Sequence, residues 1–274
     1  MSTAFIREDL LNQVLAATRA ISQQINRDVL PVDLERLSKY LGYKIEEGAI
    51  KQQGYITTTR NGQRLIRIRQ EDPVRVKRFT LAHEIGHIIW RKYIGEKPAS
   101  TPIFRARDQT DEERIADCLA AELLMPMELF EKALDVYHHP SQNALRAMAR
   151  TFSVSLTACI RRIIELSSYV AFTYVYDVPP KTTKAAPTFR IAYPRNDRLT
   201  FTESPISVVI KCLRHASATG RLWRGSLNVC LAGVCFEVPA FSEVVVGSRL
   251  TTVRVSGWTR VAPRDSENQA VNAS

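Results

Sequence analysis

Within the run Arg78-Phe79-Thr80-Leu81-Ala82-His83-Glu84-Ile85-Gly86-His87-Ile88-Ile89-Trp90, two histidines stand four residues apart with a glutamate beside the first. A helix advances by about 100° per residue, so positions i and i+4 lie one turn apart on a single face. Both imidazoles can then reach one zinc ion while Glu84 stands next to it. The spacing commits this stretch to a helix, expected from Pro73–Lys77 through Trp90, and puts metal-dependent peptide hydrolysis first among the chemistries to consider.

A catalytic zinc needs a third protein ligand and keeps a fourth position for water. Downstream, Thr110-Asp111-Glu112-Glu113 starts a second helix that ends at Met125-Pro126. Residues 113, 116, 117 and 120 share one face of it, so Glu113 can ligate while Asp117 accepts a hydrogen bond from a ligating imidazole and fixes its tautomer. Glu112 is a rival for the third position. Glu122, nine residues beyond Glu113, lies about half a rotation away and should point elsewhere.

Glu84 is the candidate general base. Zinc lowers the pKa of bound water to about 7, and an adjacent carboxylate can take that proton and deliver it to the leaving amine. Tyr55, Tyr137, His138 and His139 are candidates for stabilising the oxyanion, and the sequence does not choose among them. The ligand types favour zinc, although the same two-histidine, one-carboxylate set accepts manganese or iron. A closed structural zinc site would use cysteines, and none is near the two histidines in sequence.

Around these helices the chain divides by texture. Leu10, Leu11, Val14, Leu15, Thr18 and Ile21 have the spacing of an amphipathic helix, and Asp33 to Leu41 follows as a shorter one, stopped by Gly42. Tyr43–Glu46, Gly54–Thr59 and Arg64–Arg69 read as strands of a small antiparallel sheet, with Asn61-Gly62 turning between the last two. Residues 127–136, 141–152 and 155–166 read as helices, the last two resembling a helix-turn-helix in outline. From Ser168 onward apolar and polar residues alternate, which predicts a β-rich domain with one helix around Ile206–Ala218. Residues 178–187 read as an exposed loop and 263–274 as a frayed polar tail. The expected division is residues 1–136, a helical extension over 137–168 and a β-rich domain over 169–274.

Composition narrows the setting. The 274 residues are 45% hydrophobic, enough for a real core, and no segment has the ~18 uninterrupted apolar residues of a membrane span. The amino terminus carries Arg7, Glu8 and Asp9 and lacks a secretory pattern, so a soluble cytoplasmic protein without a membrane partner is expected. The net charge of +10 suits an acidic partner or nucleic acid. From residue 169 onward there are 13 Lys and Arg against 7 Asp and Glu, without a basic block. The five cysteines are scattered and odd in number, so reduced thiols are expected. A turn at Ala232-Gly233 would set Cys230 and Cys235 on facing strands, as two small residues of a sheet or as a redox pair.

The segment from Arg78 to His87, together with the run from Glu113 to Pro126, resembles the ImmA/IrrE family of metallopeptidases. Gly54-Tyr55-Ile56, the Phe152-Ser153-Val154-Ser155 turn and Arg161-Arg162 extend the resemblance over about residues 9–166. It implies His83, His87 and Glu113 as metal ligands and Glu84 as the catalytic acid/base. It also implies an α+β architecture: a zincin-like, mostly helical domain with a small sheet and a helical extension. Family members cleave or inactivate a helix-turn-helix transcriptional repressor, and the IrrE branch adds a carboxyl-terminal GAF-like sensor where the β-rich region lies here. The competing reading is a non-proteolytic regulator that binds its repressor partner or DNA, with Arg146, Arg150, Arg161 and Arg162 as candidate phosphate contacts.

Overall fold

The computed structural model describes residues 8–26, 29–95, 111–137, 141–166, 169–179, 188–193, 199–231, 234–246 and 251–260. The expected polar tail, most of the 178–187 loop, and His138 and His139 lie outside them. By internal contacts the chain forms two compact units, Met1–Asp135 with Met148–Ser155, and Val136–Ala147 with Leu156–Ser274. Residues of the anticipated 137–168 extension thus contribute to both. No helix among the described residues is long and apolar enough to cross a membrane.

In the first unit, α1 (Glu8–Asn26) buries Val14, Thr18, Ser22 and Ile25, successive positions three or four apart on one helical face. The next helix, α2 (Leu34–Tyr40), starts where the Asp33 carboxylate accepts the Arg36 backbone N–H at 2.9 Å. It stops where Gly42 takes φ +83°, a conformation that costs glycine little. Strands β1 (Lys44–Gly48), β2 (Gly54–Thr58) and β3 (Arg64–Arg69) follow, with Gly62 at φ +83° in the turn between β2 and β3.

The sheet is mixed rather than antiparallel, and here the sequence reading is corrected. Its order is β1-β3-β2, with β2 antiparallel to β3 but β1 parallel to it. Strand β3 supplies the buried Leu65, Ile66 and Ile68, whereas β1 is charged at Lys44, Glu46 and Glu47. The most apolar strand takes the centre and the charged one the edge, which places β1 beside β3 instead of its sequence neighbour.

Helix α3 (Val74–Tyr93) packs on β2 and β3 and most extensively on α4 (Asp111–Leu124), with α5 (Met127–Asp135) next in sequence. All residues from Thr80 to Ile89 are buried, so this helix is surrounded rather than amphipathic. Contact between α3 and α4 depends on Gly86. A Cβ there would lie 2.9 Å from the Ala116 carbonyl oxygen and 3.3 Å from Leu119 Cβ. Glu122, as expected, turns away from Glu113: it accepts from Arg19 Nε at 2.8 Å and from the Met127 N–H, the first of α5, at 3.2 Å.

Helices α6 (Gln142–Thr151) and α7 (Leu156–Glu165) are separated by a short turn in which Ser153 takes φ +53°. The second unit is built on a six-stranded antiparallel sheet of β4 (Tyr169–Val178), β5 (Thr188–Tyr193), β6 (Leu199–Phe201), β7 (Arg224–Leu231), β8 (Val234–Val246) and β9 (Thr251–Arg260), in the order β5-β4-β9-β8-β7-β6. Strand β6 is too short to show in the alternation pattern. Helix α8 (Pro205–Thr219) packs on β8 and β9, burying Val208, Val209 and Cys212 against Phe172, Tyr174, Val253 and Val255. Pro205 opens α8 and Gly220, at φ +63°, closes it. Pro239 is tolerated inside β8 because pairing to β9 begins only at Ala240. Cys230 and Cys235, expected as reduced thiols, face each other in the β7–β8 register and are joined by a disulfide.

Candidate metal centre

His83, Glu84 and His87 sit in the buried middle of α3, at 3%, 6% and 2% exposure, and Glu113 comes from the first turn of α4 at 6%. The Nε2 atoms of His83 and His87 are 3.1 Å apart. One Glu113 oxygen lies 3.2 Å from His83 Nε2 and the other 3.4 Å from His87 Nε2. The two ring nitrogens thus face each other and, one each, the two oxygens of a single carboxylate. Ligands held tetrahedrally about a zinc ion at 2.0–2.1 Å are about 3.3 Å apart, so the donor set matches in type and in spacing. His83, His87 and Glu113 could hold a metal ion.

The other ring nitrogens are occupied. Asp117 Oδ1 accepts from His83 Nδ1 at 2.9 Å, and Glu112 Oε1 accepts from His87 Nδ1 at 2.9 Å. With protons on both Nδ1 atoms, both Nε2 lone pairs face the common point. Glu112 also receives Arg91 Nε at 2.9 Å. The His87 hydrogen bond, helped by Arg91, outweighs partial burial and holds the Glu112 carboxyl down at about 2. Glu112 therefore orients a ring, and Glu113 reaches the cluster. Sequence arithmetic placed Asp117 correctly but left Glu112 and Glu113 as rivals, because neighbouring residues on one helix differ by only 100° and Arg91 belongs to another.

Glu84 lines a cleft with Gln52, Gln53, Gly54, Thr80 and His83. Gly54 permits the close approach of β2 to α3. A Cβ there would fall 2.5 Å from Thr80 Cγ2, 3.1 Å from the Arg67 carbonyl oxygen and 3.2 Å from Glu84 Oε1. Gln52, Gln53 and Thr80 escaped the sequence reading, since nothing in their type marks them before β2 is set against α3. Tyr55 follows Gly54 on β2 and so faces the opposite side of the sheet. Tyr137 falls in the second unit.

Residues 39–163 match the peptidase family described as the IrrE N-terminal-like domain. A solved structure described as a Mycobacterium tuberculosis transcriptional regulator is similar at a TM-score of 0.50 and 11% identity, over 92% of this chain and 78% of that one. At such identity the likeness concerns fold alone. No curated protein matches the sequence.

Proposed function

Since residues 39–163 match the IrrE N-terminal-like peptidase domain, we propose that the chain is an ImmA/IrrE-type, zinc-dependent, site-specific endopeptidase acting on a helix-turn-helix transcriptional repressor. The observation that carries this reading is the convergence of His83 Nε2 and His87 Nε2, 3.1 Å apart, on the Glu113 carboxylate, which sets one oxygen within 3.4 Å of each, with both Nδ1 atoms tied to carboxylates. His83, His87 and Glu113 would hold the ion. When bound, a divalent zinc lowers the pKa of a coordinated water and polarises the scissile carbonyl.

The chain's own residues supply the remaining work. Glu84 takes the proton of the attacking water and returns it to the leaving amine. Strand β2 is an edge of its sheet, with its other side free of a strand among the described residues. An extended substrate segment adding to that edge would run past Gly54 and so beside Glu84. Cleavage would relieve repression in a stress or mobile-element response in the cytoplasm, and the six-stranded unit would serve as a GAF-like sensor.

The competing reading is a non-proteolytic metal-binding regulator that binds its repressor partner or DNA. Of its four arginines, Arg162 is buried at 7% exposure and pairs with Glu165 at 3.3 Å, whereas Arg146, paired with Glu243 at 3.3 Å, keeps 48% of its side chain exposed.

The test is to incubate metal-loaded protein with the helix-turn-helix repressor encoded nearest to it. Two repressor fragments are expected from the wild type. None is expected from Glu84→Gln, which should retain metal. Intact repressor in both reactions would defeat the peptidase reading.

A further inference from the structure

The β7–β8 hairpin carries chemistry that the metal centre does not use. Cys230 and Cys235 are register partners and are bonded to each other across the strands. Cys235 is exposed and Cys230 half-buried. Of the other cysteines, Cys118 is a single exposed thiol, while Cys159 and Cys212 are buried. Burial pushes those two thiols up to about 12 and about 11, which keeps them protonated and unreactive. We propose that Cys230 and Cys235 form a reversible dithiol–disulfide site that exchanges with low-molecular-weight thiols and disulfides of the glutathione class.

Two observations separate a reactive pair from a structural fastener. The bond spans a sequence separation of only five, and the entropy that a cross-link removes from the unfolded chain grows with the loop it closes. The same strands are already held by a continuous ladder from Arg224↔Phe241 to Leu231↔Val234, so the bond has little left to hold. The second observation is access. Exchange requires a disulfide that an incoming thiolate can approach, and Cys235 is an exposed residue.

In the reducing direction, a thiolate RS⁻ attacks Cys235 Sγ. The Cys230–Cys235 bond breaks as the mixed disulfide forms, and Cys230 departs as a thiolate that takes a proton from solvent. A second RS⁻ attacks the R-side sulfur, releasing RSSR and the Cys235 thiolate, which is protonated in turn. Two RSH are oxidised to one RSSR while the protein disulfide becomes two thiols. With RSSR in excess the same steps run backwards. Cys230 is also opposite Thr200 of β6, the three-residue edge strand.

The full chain should be equilibrated in a series of reduced and oxidised glutathione mixtures, acid-quenched, denatured, labelled with a maleimide and weighed. Peptide mapping locates each label. All five cysteines label when the pair is reduced and three when it is oxidised. The expected result is a shift between five and three labels at an intermediate ratio, reversed when the ratio is reversed, with Cys230→Ser trapping glutathione on Cys235. Three labels at every ratio would make the bond a permanent fastener, and five at every ratio would show that it does not form; either overturns the proposal.

Discussion

Asp117 accepts a hydrogen bond from Nδ1 of His83 at 2.9 Å, and by doing so decides which nitrogen of that ring faces His87 and Glu113. Glu112 does the same for His87, also at 2.9 Å. Removing either carboxylate should leave three ligands but misorient one. We expect Asp117→Ala and Glu112→Ala each to weaken zinc binding by about 10- to 100-fold. Glu113→Ala should lose the ion at concentrations where both others retain it. Competition against a chromogenic chelator measures all three, and a larger loss for Glu112→Ala than for Glu113→Ala would exchange the roles assigned here.

Glu112 also predicts a pH dependence for the metal-free protein. Its carboxyl titrates near 2 in the fold against an ordinary value of about 4.5. A depressed carboxylate stabilises the fold above its unfolded value, and that contribution is lost as pH falls from about 4.5 towards 2. Glu112→Gln should therefore flatten the acid limb of stability between these values, read from urea midpoints at several pH values. An unchanged acid limb would contradict the hydrogen-bonded geometry.

At Gly54 the expected effect is on turnover rather than on metal. Gly54→Ala would place a methyl group 2.5 Å from Thr80 Cγ2 and 3.2 Å from Glu84 Oε1. A displacement of about 1 Å at a reacting group can cost on the order of 100-fold in rate. We expect repressor cleavage to fall by at least about tenfold at unchanged zinc content. Thr80→Ser removes the offending methyl group and should restore part of the rate in the double variant. A fully active Gly54→Ala protein would show that Glu84 needs no such clearance.

Gly86→Val tests the approach of α3 to α4. Its side chain has to enter space where even a Cβ is 2.9 Å from a backbone oxygen. Overpacking of this kind costs about 1–3 kcal/mol, measurable by urea unfolding. Because His83, His87 and Glu113 converge across the same contact, zinc affinity should fall together with stability.

The Arg19–Glu122 pair is structural. Glu122 is 2% exposed, so Arg19→Ala strands a buried carboxylate with the Met127 N–H as a remaining donor. Breaking such a pair from one side should cost about 3 kcal/mol. Replacing both partners, as Arg19→Met with Glu122→Met, should cost less than the single change.

How much of this was legible in the sequence depended on the range of the contact. Positions within one helix follow from 100° steps, so the shared face of His83 and His87, the placement of Asp117 and the outward turn of Glu122 could all be read in advance. Hairpin chemistry at Asn61-Gly62 was equally local. The parallel pairing of β1 with β3 was not, because it depends on which strand wins the centre of the sheet. Neither was the duty of Glu112, settled by Arg91 on another helix, nor the cleft, whose Gly54 and Thr80 acquire meaning only when a strand and a helix meet. The Cys230–Cys235 bond lay between: facing strands were foreseeable, bonding was not.

The metal centre is finally a matter of absent atoms. Gly86 and Ala116 contribute no donor, yet the gap between their helices is thinner than one added methyl group would allow. A chain could keep both histidines and every acidic residue, carry valine in place of Gly86, and hold three donors that never converge. An inventory of ligands therefore cannot separate a working centre from a vestigial one; the girth of the residues behind them can.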